Sequence, residues 1–422
     1  MVHPIHVLPV RGRAAVINRV LAQRLETVLP AAMAASGIDM WLILCYEDNL
    51  DPVFTTLIPM DTWCPILQVI VFYDRGPGPD GVHRIERINI SGTNTHDLYD
   101  RPYRGQLESE QWPLLLRVIE ERDPQRIGVN IGPVQWAAGG LTHNLYGQLT
   151  SRLPAKYVAR LVSAEPLATA WLSTLSEEEL TLYEHVAEVA HAIIARCYSS
   201  AALIPGVTTA ADLEWAYWQT SADLGLELAF KPFFTRVRSN AARELYGPDD
   251  MIIRPGDLVH CDVGIKYLRL NSDHQEWAYI LRPGESAAPA GLAALLAEGN
   301  RLQDIFMAEF VHGLTGDQLL AKILARARRE GIPNPRVYSH SLGLYLHEPG
   351  PLIGLPWEQE RNPGRGDVAL DYNNAFTMEL SVSGPIPEWD GQEVRLSMEQ
   401  DVVFTRAGCR LIDGRQTAFH LI

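Results

Sequence analysis

The sequence predicts a two-domain protein of the α+β class, with an N-terminal α/β domain before a C-terminal domain of helices packed on antiparallel sheet. The chain has 422 residues, enough for about two or three domains. Helix-like and strand-like patterns alternate over the first part of the chain, and a helix-capping signal at Ser176 then opens a second series of elements. We therefore assign residues 1–172 to the first domain and 176–422 to the second.

The first domain alternates helices with short apolar strands. Apolar residues recur every three or four positions from Val16 to Leu29, which predicts a helix, and Pro30 is expected to kink or restart it. The following segments are predicted in order: strands at 40–45, 66–73 and 82–90, a helix at 107–121, a strand at 127–131 and a helix at 141–153.

The second domain begins with long amphipathic helices and continues with strands. Ser176 and Glu179 form a capping-box pattern, and Thr209 with Asp212 forms another. Later helices are predicted near 291–311 and 316–331, and extended segments at 258–267, 273–281, 375–382 and 402–406. No cluster of polar residues in the first domain calls for chemistry, so its expected role is supporting or dimerisation.

Composition excludes several classes of function. Lys plus Arg total 36 and Asp plus Glu total 51, a net charge of −15, so we expect no nucleic-acid partner. No apolar run approaches the roughly 18 residues that a membrane helix needs, so we expect no membrane association. Five scattered cysteines without C-x-x-C spacing argue against disulfides and a structural zinc site, and favour a cytoplasmic location.

Four carboxylates and two histidines stand out in the second domain. Asp262 and Asp273 lie eleven positions apart across a predicted turn, and strand alternation turns Asp262 away from its apolar neighbours Cys261 and Val263. A buried carboxylate costs several kcal/mol unless it is paired or binds a cation. A turn cap or an exposed strand position is the alternative for either aspartate taken alone.

The remaining candidates occupy later strand-like segments. His340 and His347 lie seven positions apart, Glu379 alternates with apolar residues, and Glu399 begins the last long strand. A single histidine is more often a hydrogen-bonded structural residue than a ligand. Taken together, four carboxylates and an imidazole suit a pair of divalent Mn, Fe, Co or Zn ions. Two such ions share a hydroxide that is nucleophilic at neutral pH, which makes metal-assisted hydrolysis the default chemistry.

The order and contexts of these residues resemble a known family. Asp262, Asp273, His340, Glu379 and Glu399 match the metal ligands of the pita-bread metallopeptidases, which include aminopeptidase P, prolidase, methionine aminopeptidase and creatinase. Residues 1–172 resemble the creatinase-type N-terminal domain, which methionine aminopeptidases lack. The resemblance implies a pita-bread catalytic domain, a homodimer, two divalent metal ions, and cleavage of an amide bond near the N-terminus of small peptides.

The resemblance also implies a role for each residue. Asp262 would bind one ion with both oxygens, while Asp273 and Glu399 would bridge the two ions and His340 would complete the shell of the other. Glu379 would be both a ligand and the group that accepts a proton from the nucleophilic water. His347 would hydrogen-bond the substrate carbonyl or its oxyanion.

Several positions depart from the pattern of the Xaa-Pro peptidases. Leu245 stands where these enzymes have a further catalytic histidine. The usual Gly-His-Gly-Ile-Gly is replaced by residues 339–343, the Pro-Gly after the first glutamate by Leu380-Ser381, and the arginine normally two positions before the second glutamate is Arg395, four before it. These departures lead to one alternative, a hydrolase or lyase of a non-peptide small molecule on the same fold. A non-catalytic binding module is a second alternative, because the same fold is reused in proteins that hold other chains.

Overall fold

The computed structural model describes residues 5–347 and 349–422, which form two compact units. One unit contains 8–179 with 349–350, and the other contains 5–7, 180–347 and 351–422. The first four residues of the predicted N-terminal domain, and Glu348 beside His347, lie outside the described residues. Helices and strands are mixed in both units, which confirms the predicted two-domain α+β class.

The helices of the described residues are α1 Val10–Ser36, α2 Pro52–Leu57, α3 Glu108–Arg122, α4 His143–Arg152, α5 Ala155–Val158, α6 Glu165–Ser173, α7 Glu177–Cys197, α8 Ala210–Asp223, α9 Asn240–Tyr246, α10 Ala290–Ala308 and α11 Gly316–Arg329. None of them is both long and apolar enough to cross a membrane.

The strands of the same residues are β1 Met40–Tyr46, β2 Leu67–Pro77, β3 His83–Asn89, β4 Ile127–Val129, β5 Leu161–Ser163, β6 Glu227–Leu228, β7 Phe233–Val237, β8 Leu258–Val263, β9 Ile265–Tyr267, β10 Leu270–Asn271, β11 His274–Tyr279, β12 Arg336–Tyr338, β13 Ser341–Leu342, β14 Asn374–Thr377, β15 Glu379–Ile386, β16 Gln392–Met398, β17 Asp401–Thr405, β18 Gly408–Leu411 and β19 His420–Leu421.

The N-terminal unit contains a five-stranded mixed sheet in the order β3-β2-β1-β4-β5. β1 runs parallel to β4 and antiparallel to β2, and α3 and α4 supply buried apolar residues to the core on the sheet. α1 continues through Pro30 to Ser36, so the expected restart at Pro30 is wrong. The proline removes one helical hydrogen bond, but Leu29 and Met33, both fully buried, hold the helix on either side of it.

The described residues of the C-terminal unit form four sheets, and the chain crosses back and forth between two of them. One sheet has the order β12-β15-β16 and the other β13-β14-β17-β18. The chain passes from one to the other between β12 and β13, between β14 and β15, and between β16 and β17. The segment predicted as one strand at 375–382 is therefore two strands, broken at Met378, whose N–H donates to the Gln400 carbonyl at 2.8 Å.

Another antiparallel sheet, β19-β11-β8-β7, carries the two predicted aspartates. Asp262 lies on β8 opposite Gln275 of β11, and Asp273 immediately precedes β11. An isolated pairing between Gln275 and Glu399 connects this sheet to the crossing between β16 and β17. α10 packs against β15, β16 and β18 of the two sheets described above and α11 against β12, with Leu296, Phe306 and Ile323 in the core.

A buried ion pair holds the beginning of α7 against α1 within the N-terminal unit. Arg24 Nη1 lies 2.7 Å from Glu179 Oε2, and these side chains are only 2% and 3% exposed. Arg24 also donates to the carbonyls of Trp171 and Thr174. Glu179 in turn accepts from the Ser176 N–H at 2.8 Å, which completes the predicted capping box.

We expect Arg24→Ala to lower the free energy of unfolding by about 3–5 kcal/mol, because it leaves the Glu179 carboxylate buried without its cation. Denaturant unfolding of the purified variant measures this change. Arg19→Ala is the matched control, since Arg19 pairs with Glu178 while 60% exposed and its loss costs about 1 kcal/mol or less. Equal effects of the two substitutions would contradict the expectation.

Candidate metal centre

Three of the predicted ligands converge in a buried cluster. One potential ligand atom each from Asp273, His340 and Glu399 lies within 4.8 Å of the other two, and all three residues are buried. His340 Nε2 is 3.8 Å from Asp273 Oδ2. Asp273 Oδ1 and Glu399 Oε1 are buried without a hydrogen-bond partner among the described residues. Buried carboxylate oxygens without a donor are the atoms that a cation satisfies.

The fold brings these residues together at the crossings between sheets. His340 lies between β12 and β13, Glu379 is the first residue of β15, and Glu399 follows the end of β16. Glu379 faces Glu399 across the β15–β16 ladder, because the next pair is Leu380 with Met398. Three separate segments of the chain therefore each place a candidate ligand where the chain crosses between the two sheets.

The geometry of His340 leaves one ring nitrogen available as a ligand. Its Nδ1 lies 3.0 Å from the Ser341 carbonyl, which can only accept a hydrogen bond, so Nδ1 carries the proton. Burial, and then the neighbouring His347, lower the pKa of His340 to about 3. The ring is therefore neutral at pH 7, and Nε2 presents a lone pair towards Asp273.

Asp262 and Glu379 lie outside the tightest group of three but within its electrostatic reach. The charge of Asp262, followed by those of Asp401 and Glu379, adds to burial in raising the pKa of Asp273. Burial raises the pKa of Asp262 to about 6 and that of Glu379 to about 7. Burial, followed by the charges of Asp273, Glu379 and Asp262, raises the pKa of Glu399 well above its usual range. Four carboxyl groups thus compete for ionisation in one small volume.

Gln275 is a residue at this centre that the sequence reasoning missed. Its amide Nε2 donates to Glu399 Oε2 at 2.8 Å, and a hydrogen bond from Gln275 also lowers the pKa of Glu379. Its Oε1 accepts from His260 Nε2 at 3.1 Å, which fixes the orientation of the amide. Strand alternation gave a usable signal, because Gln275 faces Asp262 directly across the β8–β11 ladder.

Asp401 is a second residue that the sequence reasoning missed, and its carboxylate accepts a hydrogen bond from the Asp273 backbone. Its two carboxylate oxygens each lie 3.3 Å from the backbone N–H of Asp273. His274 Nε2 lies 3.7 Å from Asp401 Oδ2, and both side chains are 1% exposed. The only sequence signal was a carboxylate two positions after Glu399, at the start of β17.

His347 lies at the exposed edge of the cluster, with its ring centroid 4.5 Å from that of His340. Partial desolvation and then the charge of Arg365 lower its pKa. Arg365 and Tyr338, which the sequence reasoning did not single out, also interact electrostatically with the centre. Leu245 lies on the short helix α9 with its side chain 74% exposed, and it has no group that can exchange a proton.

These residues fit divalent cations. The donor set consists of carboxylate oxygens and a neutral imidazole, which Mn, Fe, Co and Zn accept. Cations would also offset the mutual repulsion of the four carboxylates.

We expect Gln275→Ala to weaken Mn²⁺ binding by about 10- to 100-fold, because the amide orients a carboxylate of the centre. Calorimetric titration of the metal-stripped protein measures the affinity. Gln219→Ala is the control, since Gln219 is an exposed residue of α8 that bonds Asp223. A variant at Gln275 that binds Mn²⁺ as tightly as this control would argue against the positioning role.

The carboxyl groups of Asp262 and Glu379 should make the metal-free protein less stable as the pH rises from 5 to 8. The folded-state pKa values of Asp262 and Glu379 are about 6 and about 7, above unfolded values of about 4. At these two groups the folded chain holds more protons than the unfolded chain in this interval, so their ionisation at higher pH favours unfolding. Denaturant unfolding with a chelator measures this, and Glu379→Gln should lose less stability than the wild type over the same rise in pH. An unchanged slope in that variant would contradict the assignment.

Comparison with known proteins places this geometry in a family. Residues 181–406, more than half of the 422-residue chain, match the model of metallopeptidase family M24. Among curated proteins, none matches the sequence at a significant level.

Solved structures share the fold at low sequence identity. X-Pro aminopeptidase from Thermotoga maritima MSB8 is 16% identical with a TM-score of 0.65, over 93% of this chain and 100% of that one. Xaa-Pro dipeptidase from Bacillus anthracis is 17% identical with a TM-score of 0.61, over 96% and 100%. The N-terminal domain of FACT complex subunit SPT16 from chickpea (Cicer arietinum) is 11% identical with a TM-score of 0.58, over 94% and 96%. The predicted pita-bread fold is confirmed, and the chain belongs to metallopeptidase family M24.

Proposed function

We propose that this protein is a binuclear metal-dependent hydrolase that resembles the Xaa-Pro aminopeptidases and dipeptidases and cleaves an amide bond near the N-terminus of small peptides. The observation that carries the proposal is the buried convergence of Asp273, His340 and Glu399, with Asp262 and Glu379 in electrostatic contact with them. The names of the two peptidases of similar fold support the same class of substrate.

In this proposal Asp262, Asp273, His340, Glu379 and Glu399 hold two divalent ions, whose identity among Mn, Fe, Co and Zn stays open. When bound, such ions activate a water molecule and polarise the carbonyl of the bond to be cleaved. Asp401 and Gln275 fix the orientation of the Asp273 backbone and the Glu399 carboxylate. The ligands would therefore be held in place before the ions arrive.

Glu379 and His347 would carry out the proton transfer and the substrate contact. A carboxylate oxygen of Glu379 would take a proton from the attacking water and pass it to the departing amine. Its raised pKa, due mainly to burial, suits a group that must both accept and release a proton near neutral pH. His347, at the exposed edge of the centre, would donate a hydrogen bond to the oxygen of the scissile carbonyl as negative charge develops there.

One observation favours a second candidate, a hydrolase or lyase of a non-peptide small molecule. Leu245 replaces the additional catalytic histidine of the Xaa-Pro peptidases, and its exposed side chain offers neither donor nor acceptor. A non-catalytic binding module is a third candidate, supported by the shared fold of the SPT16 domain. The complete set of five candidate ligands weighs against that reading.

We expect the metal-loaded protein to hydrolyse members of a panel of Xaa-Pro dipeptides and tripeptides, and Glu379→Ala to lower kcat by about 10²–10⁴-fold. Release of the N-terminal residue is followed by chromatography. Glu393→Ala is the matched control, because Glu393 is an exposed glutamate on the strand paired with β15, and its activity should equal that of the wild type.

Three results would separate the candidates. Turnover of the peptide panel, lost in Glu379→Ala, supports the peptidase. Metal binding without peptide turnover, together with turnover of a small molecule in a metabolite screen, supports the second candidate. A protein that binds no divalent metal would leave only the binding module.

A further inference from the structure

His191 of α7 lies in a polar cluster that has no role in the centre described above. Its side chain is 20% exposed, and Nδ1 lies 2.7 Å from Asp413 Oδ2 in the loop after β18. Nε2 lies 2.9 Å from Gln400 Oε1 and 3.6 Å from Glu276 Oε1. The ring therefore connects α7 to the segment in which the chain crosses from β16 to β17.

Both ring nitrogens of His191 face oxygen atoms that accept hydrogen bonds. A neutral imidazole has a single N–H, so it would turn a lone pair towards either Asp413 or Gln400. The imidazolium form donates to both. Glu276 lies on the Nε2 side as well, so rotating the Gln400 amide would not remove the acceptors there. The positions of the acceptors favour a protonated ring.

The charges around the ring favour the same form. Burial alone would lower the pKa of His191, but the hydrogen bond with Asp413 and then the charge of Glu276 outweigh it, so the pKa is raised. The ring of His274 lies 4.4 Å away, and burial followed by the charge of His191 lowers its pKa. His274 therefore adds no second positive charge.

The remaining charged neighbours are also acidic. Asp401 is close enough for the charge of His191 to offset part of the rise in its pKa that burial causes. Glu276 is shared, because its Oε2 lies 2.5 Å from His420 Nε2 on the side away from His191. One cation is therefore surrounded by carboxyl groups from several elements of the fold.

Gln400 links this cation to the metal centre. It stands between the candidate ligand Glu399 and Asp401 in the sequence. Its carbonyl accepts from the Met378 N–H at 2.8 Å, at the break between β14 and β15. Its buried Nε2 has no partner among the described residues, so the bond from His191 is what orients the amide.

We propose that His191, as an imidazolium, is a positioning residue of the metal centre that holds the Glu399 segment in place through its hydrogen bond to Gln400. The inference rests on the proposed function, since Glu399 is a metal ligand only in that proposal. Loss of the proton removes one of the two N–H donors and leaves a lone pair facing an oxygen atom. The stabilisation is complete below the unfolded pKa of about 6.5 and is lost as the pH rises through the raised folded value.

Hydrogen exchange of the metal-free full-length protein tests the contact without requiring metal or turnover. Labelling with ¹⁵N-methionine reports the Met378 amide, which donates to Gln400, and the Met307 amide of α10 as a reference in the same unit. We expect His191→Phe, which keeps a ring without donors, to lower the protection of Met378 relative to Met307 by about 10-fold. As the pH rises above about 6.5, this ratio should fall more steeply in the wild type than in His191→Phe.

Asp413→Asn provides a second variant at a partly exposed side chain. Removing this charge should lower the pKa of His191, which NMR of ¹³C-labelled histidine measures directly. The midpoint of the fall in Met378 protection should move to lower pH by the same amount. His185→Phe is the matched control, because His185 is an exposed histidine of the same helix, and its exchange and titration behaviour should equal that of the wild type.

Calorimetric titration with Mn²⁺ tests the connection to the metal centre. His191→Phe should bind Mn²⁺ about 10-fold more weakly than His185→Phe. This difference should shrink at a pH above the measured pKa of His191, because the wild-type contact is then lost as well. A general loss of packing in the variant would not depend on pH in this way.

Each outcome bears on one of the two proposals. The positioning role is overturned by a His191 ring that is neutral at about pH 6, by unchanged Met378 protection in both His191→Phe and Asp413→Asn, or by equal Mn²⁺ affinity of His191→Phe and His185→Phe. Peptide turnover that is indifferent to His191→Phe at every pH also overturns it and leaves the proposed function standing. A wild type that binds no divalent metal overturns the proposed function, whatever hydrogen exchange shows.

Discussion

Mutual repulsion among buried carboxyl groups is the constraint around which the C-terminal unit is organised. Four carboxyl groups lie close together here: Asp262, Asp273, Glu379 and Glu399. Burial raises the pKa of each of them, and the charges of neighbouring carboxylates raise it further for the last three. Such a cluster is costly in the folded state unless protons or cations occupy it. The surrounding groups, the neutral His340 and the amide of Gln275, stabilise charge without adding any. This arrangement suits a cation site better than a structural ion-pair network.

The fold solves a geometrical difficulty that a single sheet would not. Side chains of one strand alternate between its two faces, so neighbouring side chains on the same face lie about 7 Å apart. Here three stretches pass between two sheets, and His340, Glu379 and Glu399 lie at or beside those passages. A break in the pleat there, as at Met378, frees the chain from strict alternation. The pairing of Gln275 with Glu399 then connects the β19-β11-β8-β7 sheet to the same crossing region.

Local sequence patterns were enough to predict much of the secondary structure of this protein. They did not predict which residues from separate segments lie together. Alternation around Asp262, the capping boxes at Ser176 and Thr209, and most helices could be read from neighbouring residues. The proximity of His340 to Asp273 depends on two sheets meeting, which no local period encodes, and it entered only through family resemblance. Gln275 and Asp401 escaped notice because a single amide or carboxylate on a strand resembles an ordinary surface position. The unbroken course of α1 through Pro30 depends on burial of the flanking residues.

Two departures from the family pattern are connected by one hydrogen bond. Arg395 is displaced by two residues from the usual arginine position, and because the strand period is two, it stays on the same sheet face but lies further from the centre. Ser381 replaces a glycine at the level that the displaced guanidinium reaches, and its Oγ accepts from Arg395 Nε at 2.9 Å. A glycine offers no side-chain acceptor there, so the arginine in its new position would lack this anchor. The two substitutions thus act as one unit, in which Ser381 holds the Arg395 guanidinium on the sheet face that also carries Glu379.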